Sequence, residues 1–181
     1  MKVPRTPWNR FPDVIISTQE QAVKHHPAYP AAKQGDGRAA YCLVKENQQK
    51  EAVVQVRQLI GQRTPVLVPV HALEKNGVNA IPEAMASRLE NLLDLAIDTE
   101  IVQINAVGHT GSDGFHRLAN QALFDGIVRR DMEYFLVDDF VGQGGTLANL
   151  KGHIETNGGC VIGAVVLTGK PFSARLALSG E

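Results

Sequence analysis

The sequence predicts an α/β protein, a mostly parallel β-sheet with helices on both faces. Three observations predict it. Apolar runs of strand length alternate with segments whose apolar residues recur at helical spacing. The strand-like runs are continuously hydrophobic, as expected of strands covered on both sides. Each run leads into a polar loop, the place where open α/β sheets bind ligands.

Composition sets the outer bounds. The chain has 181 residues, 44% hydrophobic and 20% charged, enough to bury a core without disulfides or structural metal. The net charge of −1 argues against a clamp for nucleic-acid phosphates, which needs a basic excess. Apolar runs stay well under the ~18 residues of a membrane span, and Val14, Ile15 and Ile16 are too few for a secretory leader. Cys42 and Cys160 do not make a disulfide framework, and the reading is two buried or inert thiols in a cytoplasmic protein.

Five of the nine prolines fall in residues 1–46, which limits this stretch to short helical pieces near 18–26 and 28–33, with a turn at Gln34-Gly35-Asp36-Gly37. Ala52, Val53, Val56, Leu59 and Ile60 mark a helix over 47–60, ended by Gly61. Val66 to Val70 is the first strand. Met85, Leu89, Leu92 and Ala96 mark the next helix. Ile101 to Val107 is the second strand, on which Gln103 and Asn105 face one side. Tyr134 to Val137 is the third, stopped by Asp138-Asp139. Leu147, Leu150 and Ile154 mark a helix closed by Asn157-Gly158-Gly159, and Cys160 to Thr168 is the fourth strand. Two regions follow: an N-terminal segment, 1–62, and an α/β core, 63–181.

The segment Tyr134 to Thr146 carries the chemistry. Two adjacent carboxylates stand at the end of a buried strand, followed by Val141-Gly142-Gln143-Gly144-Gly145-Thr146. Glycines let successive N–H groups point into one concavity, and a helix start adds unpaired donors, so the turn suits a phosphate. Carboxylates suit hydroxyls or a metal ion. Side by side they suggest a sugar phosphate. Other nucleotide motifs fit worse: Gly169-Lys170 is followed by Pro171, not Ser or Thr, and Leu147 stands where a dinucleotide fingerprint needs its third glycine.

This segment resembles the phosphoribosyl pyrophosphate motif of type I phosphoribosyltransferases, with Phe140, Gly142 and Gln143 departing from its usual residues. Val68-Pro69-Val70-His71 and Gly77-Val78-Asn79 look like the first strand and loop of the competence-type branch of that family. The resemblance covers about 65–168. It implies phosphoribosyl transfer to a nitrogenous base that the sequence does not name, with Mg2+ held mainly through the substrate. Asp138 and Asp139 would act as the catalytic acids, anchoring the ribose hydroxyls directly or through the metal. Gly142 to Thr146, with Val141, would hold the 5′-phosphate. Val70, His71 and Ala72 would contact pyrophosphate, with Lys75 a further candidate, and His109 or Arg117 of the loop 108–117 would neutralise it under a closing lid. Residues 1–62 would be the hood that selects the base, and a homodimer is compatible with this reading.

A non-catalytic sensor of phosphoribosyl pyrophosphate or of a nucleotide is the alternative, favoured by the sparse positive charge of 108–117. A generic α/β domain with another phosphate ligand is the bland one. His71, His109 and His116 match no metal spacing, and His25-His26 reads as surface.

Overall fold

The computed structural model describes residues 4–71, 73–74, 77–105 and 121–176. Its centre is a four-stranded, all-parallel sheet. The strands are β1 (Ile15–Thr18), β2 (Val66–Pro69), β7 (Glu133–Val141) and β8 (Cys160–Gly169), in the order β1-β8-β7-β2. β3 (Leu73–Glu74) and β4 (Gly77–Val78) form one antiparallel ribbon, and β5 (Val102–Gln103) and β6 (Phe124–Asp125) another. The helices are α1 (Glu20–Lys24), α2 (Tyr29–Lys33), α3 (Gly37–Asn47), α4 (Lys50–Ile60), α5 (Ile81–Leu93) and α6 (Gly145–Thr156).

Both faces of the sheet are covered, as the continuous apolar runs predict. Phe135 and Val137 point to one face, where they pack with Leu43, Val56, Met85 and Leu89 from α3, α4 and α5. Tyr134 and Leu136 point to the other, against Leu147, Leu150 and Ile154 of α6 and Phe11 of the N-terminal segment. Period-two alternation along β7 sorts its side chains between the two layers. Complete burial of a side chain such as Phe135 or Leu136 is worth about 1.5–3 kcal/mol.

Five expectations change. The described part of the expected second strand, residues 101–105, does not enter the sheet. Residues 96–98 run beside β2 instead, bridging at Leu67 and Ile97, while Val102–Gln103 pairs with Phe124–Asp125. The reason is local: Asp98 folds back to accept the Glu100 N–H at 2.9 Å, and Asn105 binds the backbone of Gln121 and Leu123, drawing the chain away. The expected strand at 160–168 is present as β8, and an unexpected one, Ile15–Thr18, pairs with it from Ile15↔Val165 to Thr18↔Thr168, so residues 1–62 supply a strand as well as helices. The third strand does not stop at the acids. It runs on to Val141 because β8 keeps pairing with it, Phe140 against Thr168 and Val141 against Gly169. Finally, Gly35-Asp36-Gly37 is not only a turn. Asp36 accepts the N–H groups of Arg38 and Ala39 at 2.9 and 3.0 Å and so caps α3. Cys42 and Cys160 are both free and exposed, not buried.

Candidate functional site

The acid pair lies near the carboxyl end of β7, in the middle of the sheet. Asp138 is buried, 5% exposed, and its Oδ1 accepts the Asp139 N–H at 2.8 Å. Burial, and after it the charge of Asp139, raise the Asp138 carboxyl well above the ordinary aspartate range. The Asp139 N–H and the charge of Lys33 oppose this only in part. Asp139 points the other way along the pleat and meets Lys33 of α2, whose Nζ donates to Oδ2 at 3.1 Å. Both side chains are largely covered, at 22% and 13% exposed.

The N-terminal helices reach this point because α2 is pinned. The Ala80 N–H donates to the Ala32 carbonyl at 3.1 Å, and Gly77, at φ 137°, passes so near the Gln34 carbonyl that a Cβ would lie 2.7 Å from its oxygen. Lys24 of α1 stands 5.4 Å from the centre of the Phe140 ring. Lys33 is thus a member of the site that the sequence does not reveal. It lies 106 residues from Asp139, and no local pattern links them.

Beyond Val141 the chain turns through Gly142 and Gln143, and Gly144 enters α6 with φ 69°. A Cβ at Gly144 would meet only the movable end of the Leu176 side chain, so it is the left-handed dihedral that asks for glycine here. Ser173 donates its hydroxyl to the Gly142 carbonyl, and the Lys170 N–H binds the Val141 carbonyl at 3.3 Å, which ties the turn to the segment after β8. No side chain caps α6. Its first N–H groups, at Gly145, Thr146 and Leu147, therefore face the turn without intrahelical partners.

The remaining predicted residues scatter. Val70 is buried and its N–H is taken by the Val137 carbonyl at 2.8 Å, so it offers no donor to an anion. His71 follows, half-buried. Its carbonyl accepts the Gln103 N–H, and its Nε2 is buried with no hydrogen-bond partner among the described residues. Ala72, Lys75, His109, His116 and Arg117 lie outside the described residues, as does the loop 108–117. Gln103 and Asn105 are satisfied locally and offer nothing to the site: Gln103 Nε2 donates to the Asn105 carbonyl, and the Asn105 amide bonds the backbone of Gln121 and Leu123. His26 bridges to Glu46 at 2.9 Å. Among the described residues no three His, Cys, Asp or Glu side chains converge as a metal cage, and one member of the acid pair already holds a lysine. The described residues do not make a magnesium site by themselves.

No protein-family model matches the chain. It is 42% identical to Protein TraN of Escherichia coli over 96% of its own length and 39% of that protein's. It is 44% identical to an uncharacterized protein of Haemophilus influenzae over 83% of its length and 34% of that protein's. The chain thus spans little more than a third of the curated relatives it matches. Among solved structures it is similar to Leishmania donovani UMP synthase (13% identity, 75% of this chain and 23% of that one, TM-score 0.43). It is also similar to adenine phosphoribosyltransferase from Thermoanaerobacter pseudethanolicus (15%, 77% and 73%, 0.44). A third is purine phosphoribosyltransferase from Pyrococcus horikoshii (18%, 80% and 78%, 0.44).

Proposed function

We propose that this chain binds a ribose 5-phosphate group at the end of β7 and acts as a phosphoribosyltransferase, passing that group from phosphoribosyl pyrophosphate to a nitrogenous base. One observation carries the reading: an acid pair and a glycine turn that opens a helix stand together at the carboxyl end of a central parallel strand, where α/β sheets bind ligands. The motif resemblance of Tyr134 to Thr146 and the competence-type look of Val68 to His71 agree with it.

In this reading Asp139 accepts from the ribose 2′- and 3′-hydroxyls. Asp138 contributes from behind, through the Asp139 N–H it holds. The first N–H groups of α6 hold the 5′-phosphate. Positive charge builds at the anomeric carbon as pyrophosphate leaves, and the ionised Asp139 offsets it. His71, beside the site, supplies an unpaired ring nitrogen. Magnesium is not held by these residues and would arrive bound to pyrophosphate, so no step is assigned to it.

A non-catalytic sensor is the second reading. Lys33 favours it, because a cation already occupies Asp139 where hydroxyls would dock. A pyrophosphate-release assay with purine, pyrimidine and nicotinate acceptors separates the two. Release with any acceptor supports transfer. Saturable phosphoribosyl pyrophosphate binding without release supports sensing, and the absence of both binding and release overturns the ribose-phosphate reading.

A further inference from the structure

At the amino end of the sheet, away from the acids, lies a cleft of about 470 Å³, inside the usual range for small-molecule sites. Val161 and Ile162, at the start of β8, form part of its wall. Asp138 pairs with Val166, so the acids stand five residues further along, about 16 Å at strand rise. The N-terminal segment forms the opposite wall. The Phe11 N–H closes a turn onto the Trp8 carbonyl at 2.8 Å, with Asn9 at φ 44°. The turn sets the Trp8 and Phe11 rings 4.8 Å apart at 60°.

The charges of this wall do not balance. Lys151 is buried, 4% exposed, but complete: its ammonium donates to Thr6 Oγ1, the Pro7 carbonyl and Glu155 Oε2 at 2.9, 2.9 and 2.7 Å. Arg63 binds the Ile60 and Leu59 carbonyls and faces Glu133 at 3.6 Å. Arg10 also lines the cleft, and among the described residues its guanidinium has no hydrogen bond or ion pair. An indole and a phenyl ring beside a guanidinium with no partner among the described residues suit a ligand with a flat apolar body and one negative charge.

We propose that the cleft between the Trp8–Phe11 turn and the start of β8 is a second ligand site, for a small planar aromatic carboxylate. Its ring lies along Trp8 and its carboxylate is held by Arg10. Trp8 is the sole tryptophan, so its indole N–H gives one unambiguous signal in a nitrogen-15 correlation spectrum. The test titrates the chain with 2-naphthoate and, as the neutral isostere, 2-naphthamide. A saturable shift of the indole signal is expected with naphthoate, about tenfold weaker with naphthamide and about tenfold weaker in Arg10→Gln. Arg10 is exposed, so the variant keeps the fold. The absence of a saturable indole shift overturns the proposal, and so does equal affinity for the acid and the amide or for wild type and Arg10→Gln. The same titration against Asp139→Asn should give the wild-type curve, which separates this site from the one at the acid pair.

Discussion

Asp138 and Asp139 are neighbours in sequence and opposites in environment. The buried carboxyl of Asp138 is raised, so its contribution to stability is fully present below the ordinary aspartate value of about 3.9 and is lost as pH rises through the higher folded value. Asp138→Asn keeps the Oδ1 acceptor and removes that loss. The variant should melt higher than wild type at pH 7, by about 2–4 °C for about 1 kcal/mol. The gain should vanish near pH 4. Melting curves at the two pH values check this, and an equal gain at both would show that charge burial is not the cause. Asp139→Asn should do the reverse. It removes the charge that faces Lys33 at 3.1 Å, and stability of the unliganded protein should fall by about 1–2 kcal/mol. Ribose 5-phosphate affinity should fall at least about tenfold in calorimetry. Sequence reasoning ranked the two acids equally, since only the pleat decides which one is buried and which one meets α2.

At the scale of elements, α6 is held at its start and along its middle. Its start depends on Gly144, whose left-handed dihedral strains any residue with a Cβ. Gly144→Ala should cost about 1–2 kcal/mol and weaken phosphate binding, whereas Gly145→Ala, with open space around it, should leave the melting temperature within about 0.5 kcal/mol of wild type. Thermal melts of the two variants, with and without ribose 5-phosphate, make the comparison. Further along, Gly152 passes against the Pro4 backbone, Arg5 donates to Asn149 at 2.9 Å and Lys151 holds Thr6 and Pro7. The N-terminal segment is therefore strapped to α6. Gly152→Ala should lift the strap, and the Trp8 emission should shift to the red as the indole gains water. An unshifted spectrum would mean that the strap tolerates the methyl group.

At the scale of the whole molecule, β1 closes one edge of the sheet with residues that precede every predicted strand. Its loss would leave β8 with one unpaired side and uncover the layer to which Ile15 belongs. Deletion of residues 4–18 should abolish the cooperative thermal transition. A sigmoidal melt in the truncated chain would show that the other three strands suffice.

What the sequence by itself determined is the local chemistry. The continuous apolar runs at 66–70, 134–137 and 160–168 demanded burial on both faces, and that requirement is met by each strand separately. The pairing of Asp138-Asp139 with a glycine turn and a helix start is contiguous in the chain, so its geometry was legible before any long-range contact formed. Tertiary structure decided the rest, because it concerns partners distant in sequence. Ile15–Thr18 is too short and too mixed to announce a strand, and becomes one only when β8 offers its edge. The segment 101–107 has strand composition, but Asp98 and Asn105 spend their hydrogen bonds elsewhere. Lys33 reaches Asp139 only because α2 is pinned to the chain around Gly77. An ion pair across 106 residues leaves no periodicity to read.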